Sequence, residues 1–241
     1  MRSGHILAES TSSSISIERI RDMVYKCERE HATCGPGRQQ ILPRRLVDLS
    51  SLDHDGSDGV QFIEFTGSTD VRGSYACLSH CWGKETMPVT TINENIHENM
   101  EYIALELLPT TFRDAITITR SLGLRYIWID SLCIIQSSEE DWQVESTKMA
   151  TIYQNSFVTI AATSSSDFKG GCFAKREGDM CFHVKYGTIL DTTLGVRAEV
   201  EVEFSQLYPL FTRGWVYQEH MLSGRLLYCN RNEFELECRE G

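Results

Sequence analysis

The chain has 241 residues, 41% of them hydrophobic, which is enough for one large domain with a real core. Lys+Arg number 23 and Asp+Glu 34, a formal net charge of −11; cationic side chains drive binding to phosphate backbones, so nucleic acid is not an expected partner. No stretch approaches the ~18 apolar residues of a membrane span, no apolar run follows Arg2 as in a secretory leader, and the nine cysteines are odd in number and scattered; the expectation is a cytoplasmic chain with reduced thiols and no membrane contact.

Residues 1–15 are Ser-rich and expected to be disordered, with one domain over 16–241. A helix is predicted from Ile17 to about Glu30, capped by Ser16, with Ile17, Ile20, Val24 and Cys27 on one face. Residues 35–43 read as a loop, and 53–59 (DHDGSDG) as a polar turn before a strand at 60–65. A buried strand follows at 75–79. Residues 111–122 read as a helix with a capping box of Thr111 and Asp114, ended by Gly123. Residues 125–130 (RYIWID) are a strand, and Ser138 with Asp141 caps a helix to about Gln154. Residues 156–162 form a third strand, rich in β-branched side chains. A flexible loop is expected at 163–171, antiparallel strands at 181–204, a helix at 213–222, and strands at 226–230 and 233–238. The order strand–helix–strand–helix–strand predicts an α/β fold: a mainly parallel sheet flanked by helices, with additional antiparallel strands inserted.

In open α/β sheets ligands bind beyond the carboxyl ends of the strands. Those ends are here 79–83, 130–136 and 163–171. Ser79, Trp82 and Gly83 could hold a ligand by hydrogen bond, stacking and close backbone approach; the bland alternative is a turn with Trp82 on the core. His80 and Cys81 are sequence neighbours, which face opposite ways on a strand, so a structural role is expected for that pair. Asp130 suits either a ligand hydroxyl or capping of the 131–135 turn. Cys133 lies between Leu132 and Ile134 and reads as a buried thiol. Trp215 and Glu219 are four apart and share a helical face; spacing alone favours an exposed Glu219 paired with a nearby Arg. Cys27-x3-His31-x2-Cys34 has metal-like spacing, but a structural zinc needs four ligands and no nearby Cys/His pair completes the set, so no metal is assigned.

Four segments, 75–83 (YACLSHCWG), 124–136 (LRYIWIDSLCIIQ), 149–163 (MATIYQNSFVTIAAT) and 212–225 (TRGWVYQEHMLSGR), resemble the blocks of the fungal heterokaryon-incompatibility domain. The matching positions are Tyr75, Leu78, Ser79, Trp82 and Gly83; Trp128, Ile129, Asp130, Cys133, Ile134 and Gln136; Met149, Ile152 and Tyr153; and Arg213, Trp215, Gln218 and Glu219. The stretch from Cys27 through Leu42, Pro43, Arg45 and Leu46 resembles a common upstream element, so the likeness covers roughly 25–240. Members often continue well past this domain, and the chain is expected to be a short member or a fragment.

The resemblance implies fungal non-self recognition and cell death, with protein partners in incompatibility signalling, and leaves homo-oligomerisation open. The domain is in turn similar to TIR domains, whose sheet is flavodoxin-like. Several of these cleave NAD at the nicotinamide–ribose bond with a Glu that follows a Trp-containing motif on a helix. By that resemblance Glu219 is the catalytic residue and Ser79, Trp82, Gly83, Asp130, Arg213 and Trp215 form the nucleotide site, with NAD as the substrate and no cofactor required. The chemistry is coherent: nicotinamide leaves as a neutral molecule, and one carboxylate can stabilise the ribosyl cation. Two other readings stay open, a non-catalytic assembly module and an enzyme of other chemistry in secondary metabolism that uses Cys133 or Glu219.

Overall fold

The structure is a computed structural model and describes residues 10–34, 39–50, 56, 58–66, 71–175, 181–185, 193–197 and 208–240. In 181–185 and 193–197 only the backbone is described.

Helix α1 (Ser14–Glu30) starts a turn earlier than the sequence predicts, because Ser13, not Ser16, is its cap and accepts from Ser16 N. Of the span 1–15, residues 1–9 lie outside the described residues. Ser10 pairs with Lys175, and Thr11 is buried and donates its backbone N–H to Ala174 O at 3.0 Å. The short strands β1 (Gln40–Ile41) and β4 (Arg72–Gly73) pair with each other, while β2 (Arg45–Asp48), β3 (Gly59–Glu64) and β5 (Tyr75–Ser79) enter the main sheet. They are followed by α2 (Ile96–Glu101), β6 (Ile103–Ala104), α3 (Thr110–Ser121), β7 (Tyr126–Trp128), a one-turn α4 (Asp130–Cys133), α5 (Glu139–Asn155) and β8 (Val158–Ala161). The antiparallel pair β9 (Cys181–Lys185) and β10 (Thr193–Arg197) lies within the predicted 181–204; the rest of that span lies outside the described residues. A 3-10 turn (Pro209–Thr212) leads into α6 (Val216–Leu222), so the predicted helix at 213–222 begins later. Strands β11 (Arg225–Cys229) and β12 (Phe234–Cys238) close the chain's described part.

The main sheet has eight strands in the order β12-β11-β8-β5-β7-β2-β3-β6. Its centre, β11-β8-β5-β7, is parallel, and β5, β7 and β8 lie side by side as the sequence predicts. The edges are antiparallel: β12 on one side, and β2, β3 and β6 on the other. The sheet is therefore mixed rather than mainly parallel. The physical reason is connection length. β11 and β12, like β2 and β3, are joined by short links that reverse the chain, whereas a parallel pair needs a crossover. Every residue of β5 and of β8 is buried, as expected of strands covered on both faces.

Two local readings are corrected. Thr111 and Asp114 do not form a capping box: Pro109 starts α3, and its fixed φ suits that place. Their side chains hold the 167–173 segment instead. Thr111 Oγ1 accepts from Gly171 N, and the Asp114 carboxylate accepts from Cys172 N at 2.8 Å and Phe173 N at 3.1 Å. The segment 163–171, expected to be a flexible loop, is packed: Phe168 is buried and Thr163 Oγ1 donates to Cys229 O at 2.8 Å. Gly123 ends α3 with φ +64°, as predicted. The eight cysteines whose side chains are described are thiols. Among the described residues no helix is long and apolar enough to cross a membrane.

Helix α5 is fixed to the sheet by a buried arginine. Arg45, on β2, donates Nε to Glu64 Oε1 at 3.0 Å, Nη1 to Asp141 Oδ2 at 2.6 Å and Nη2 to Asp141 Oδ1, and Nη1 also reaches Cys133 O at 3.2 Å. Asp141 sits in the first turn of α5, whose cap is Ser138 as predicted. Burial alone would raise the Asp141 carboxyl, but Arg45 and the Ile135 amide outweigh it and hold it below the usual carboxylate range. Stability from this pair is thus complete above the unfolded value of ~4 and is lost as pH falls through the lower folded value. Asp141→Asn should lower the unfolding free energy by about 1.5–3 kcal/mol at pH 7, because buried Arg45 loses one of its two carboxylate partners and keeps only Glu64. Denaturant titrations at pH 7 and at pH 3 should show the gap between wild type and variant narrowing in acid.

Candidate functional site

A cleft of about 140 Å³ opens beyond the carboxyl ends of the parallel strands. From the segment after β5 comes Trp82, and from α4 and the residues beyond it come Asp130, Ile134 and Gln136. Helix α5 adds Trp142, Ser146 and Met149, and the α6 region adds Arg213, Trp215 and Glu219. Trp142, Ser146 and Met149 are spaced four and three apart, which puts them on one face of α5.

Asp130 anchors the floor. Its Oδ2 accepts from Trp82 Nε1 at 2.9 Å and its Oδ1 from Ser131 N at 2.7 Å. It therefore caps its own turn, as one of the two sequence readings has it, and also lines the cleft. Gln136 fixes the same turn, donating Nε2 to Asp130 O at 3.1 Å and Ile134 O at 2.9 Å. Arg213 donates Nη1 to His80 O, which draws the segment before α6 onto the end of β5.

Glu219 is the unusual group. The spacing argument favoured an exposed, paired Glu; the side chain is instead only 4% exposed, and no ion pair to it occurs among the described residues. The cause is the neighbour Val216, which is buried and turns that side of the short α6 inward. Burial pushes the Glu219 carboxyl up to about 7; the nearby Ser79 hydroxyl and Arg213 moderate the rise and Asp130 adds to it. Among the described residues Glu219 Oε2 and Ser79 Oγ nonetheless have no hydrogen-bond partner, and neither has either ring nitrogen of the buried His80. Burial also pushes His80 below its ordinary value, against the pull of Asp130, whose Oδ1 lies 3.8 Å from Nδ1. Buried polar atoms are nearly always paired, and exceptions concentrate where a protein handles ligands or water.

Of the residues singled out by sequence, Trp82, Asp130, Arg213, Trp215 and Glu219 line one cleft. Ser79 is buried near Glu219 rather than in the lining. Gly83 also lies outside the lining; its φ is +80°, and a Cβ there would meet Asp167 Cβ at 2.6 Å, so it shapes the loop. Cys133 is fully buried, and burial pushes its thiol up to about 12, which suits packing and not nucleophilic attack. Sequence reasoning missed Trp142 and Ser146, which belong to no motif and were legible only as a helical face, and it gave His80 no polar role. Among the described residues a single group of side chains could hold a metal ion; it lies at the end of α1, in the bend that follows and at the end of β12, and includes no residue of the cleft lining.

Comparison with curated proteins and with solved structures returns no match. The family model described as heterokaryon incompatibility protein (HET) matches residues 75–219. That span is more than half of the chain and contains every residue that lines the cleft. The chain belongs to the heterokaryon incompatibility family.

Proposed function

We propose that this domain cleaves NAD at the nicotinamide–ribose bond, with Glu219 as the catalytic carboxylate. Family membership supplies the coarse role, a function in heterokaryon incompatibility and the cell death related to it. One observation carries the finer reading: a buried carboxylate without an ion pair among the described residues lies in a cleft with three indoles, Trp82, Trp142 and Trp215, and a second carboxylate, Asp130. A cationic, planar ring suits such a cleft, because indole faces attract cations and carboxylates stabilise them. Arg213 supplies the opposite charge at the rim, suited to a phosphate. The likeness of the Trp215–Glu219 spacing to the TIR motif points the same way. The cleft is smaller than the ~300–1,000 Å³ typical of whole drug-sized ligands, so it suits one ring and its ribose, with the remaining nucleotide outside.

The proton balance follows. The bond between ribose C1′ and the nicotinamide nitrogen breaks, and its electron pair leaves with nicotinamide. Glu219, ionised, faces the cation left on the sugar. Water adds to C1′ and gives up one proton, for which Glu219 or Asp130 is the acceptor. Protonated Glu219 cannot do this work, and its carboxyl titrates at about 7. The cationic ring of bound NAD favours the ionised form, so saturating substrate should move that titration downward.

A second reading has its own support. Trp215 is 56% exposed and Tyr217 73%, and Met221 and Trp142 are exposed as well. Such an apolar surface suits contact with another protein, and this favours an assembly module.

The readings separate by experiment. Purified chain incubated with NAD should release nicotinamide, and Glu219→Gln should lower turnover by roughly 10²–10³-fold. The same variant should remove toxicity in a fungal host. Tyr217→Ser, away from the cleft lining, should leave turnover unchanged. If wild type releases no nicotinamide while Tyr217→Ser abolishes toxicity, the assembly reading replaces the catalytic one.

The pH dependence is a further expected outcome. For wild type, kcat/KM should fall about tenfold per pH unit below about 7 and level off above it. Stability runs the other way. The folded Glu219 holds its proton more tightly than the unfolded chain does, so unfolding free energy declines as pH rises from ~4.5 through about 7. The loss is on the order of 3 kcal/mol at pH 8. Glu219→Gln should lack that decline, and thermal melts at pH 5 and pH 8 would show it.

A further inference from the structure

The C-terminal end of α1 and the end of β12 meet around three cysteines and a histidine. Cys27 lies in the last turn of α1, His31 is the helix C-cap, Cys34 follows in the next bend, and Cys238 is the last residue of β12. The four ligand atoms all lie within 4.8 Å of one another. His31 Nδ1 is 3.2 Å from Cys238 Sγ and 3.6 Å from Cys34 Sγ. We propose that Cys27, His31, Cys34 and Cys238 form a structural zinc site that ties the N-terminal helix to the edge of the main sheet.

Three observations carry the proposal. The first is geometry. Zn–S bonds of ~2.3 Å and Zn–N bonds of ~2.0–2.1 Å in a tetrahedron set ligand atoms about 3.5–3.8 Å apart, and the cluster already stands close to that. The sequence offered three of the four ligands at a fitting spacing. The fourth comes from the far end of the chain, brought in because β12 pairs with β11 and α1 packs on β12.

The second is charge. Arg225 lies directly opposite Cys238 in the β11–β12 register, is buried, and reaches Cys27. It donates Nη1 to Phe157 O at 3.1 Å and lies 4.9 Å over the Phe157 ring, but it has no carboxylate partner among the described residues and its Nε has no partner. A buried guanidinium without an anion is unfavourable. Three thiolates, one neutral imidazole and one zinc ion carry a net charge of −1, which this cation balances.

The third is closure. Four protein ligands leave no open position, which marks a structural and not a catalytic zinc. Next to the cluster, Glu240 Oε1 accepts from Thr33 N and from Thr33 Oγ1, both at 2.6 Å, so the chain on either side of the ligands is already fastened. All four ligands lie outside the family-matched residues 75–219, so the site is a property of the flanking elements and not of the cleft. Metal binding releases the three thiol protons, so affinity should weaken in acid.

The test uses the full chain, purified without chelator, reduced, and titrated with Co²⁺ and then Zn²⁺. The expected result is one Co²⁺ per chain, with the intense visible absorption of tetrahedral cobalt and a thiolate charge-transfer band, both abolished by one equivalent of Zn²⁺. Cys238 ends an edge strand and is half-buried, so serine there preserves the sheet, which circular dichroism checks. Cys238→Ser should bind Co²⁺ at least tenfold more weakly, with a smaller charge-transfer band. If reduced wild type takes up no stoichiometric Co²⁺, or if Cys238→Ser binds as tightly with an unchanged spectrum, the proposal is overturned. Peptide mapping that finds a native disulfide between two of the three cysteines would overturn it equally.

Discussion

Two tyrosines reach past each other between β5 and α5. Tyr75 donates its hydroxyl to Ile152 O at 2.7 Å, and Tyr153 donates its own to Leu78 O at 3.3 Å. Both rings are buried, and Tyr153 packs edge-on against Trp128 at 5.6 Å. A buried carbonyl deprived of such a donor costs about 1–3 kcal/mol, so each bond locks a position rather than merely adding attraction. Together they set where α5 lies along the sheet. That placement decides which face of α5 overhangs the strand ends, and with it the positions of Trp142, Ser146 and Met149. Arg45 secures the same helix at its other end through Asp141. Helix α6 packs on α5, so Trp215 and Glu219 inherit their positions from this one junction.

The junction also explains why two carboxylates in one cleft differ. Asp130 sits at a strand end with an indole N–H and a backbone N–H pointing at it. Glu219 arrives from a helix pressed onto the sheet, where burial outweighs the nearby Ser79 and Tyr153 hydroxyls. The same functional group is thus solvated by protein at one position and desolvated at the other. An apolar side chain in place of Glu219 would pack without the penalty of a buried charge, so its presence trades stability for another property.

The central strands were legible because burial on both faces leaves uninterrupted apolar runs, as in YACLS and VTIA. The caps were less so. Ser13 and Ser16 are interchangeable to a propensity argument, and only the pairing of 10–11 with 174–175 selects the earlier start. Thr111 and Asp114 have capping-box spacing, yet a loop 60 residues later claims both side chains, a long-range fact that no window of sequence contains. The cleft was legible where strand ends and motif residues coincide, at Trp82 and Asp130. Arg213, Trp215 and Glu219 were legible chiefly through family resemblance, since spacing favoured the opposite environment for Glu219. The mixed character of the sheet was hidden for a related reason. Strand type can be read locally, but strand direction depends on which edge a segment joins.

The unit that folds is larger than the matched block of 75–219. That block supplies β5, β7 and β8, but β7 needs β2 on its outer side, and β8 needs β11. Without them a buried parallel core would present two unpaired edges. Arg45, the cation that holds Asp141, is on β2, and Arg225, beneath the cysteine cluster, is on β11. Both are buried charges lying outside the block, and each neutralises or awaits an anion that its own strand does not carry. The cleft therefore depends on elements that contribute no residue to its lining. The antiparallel edges finish the sheet, the finished sheet fixes α5, and α5 with α6 encloses Glu219.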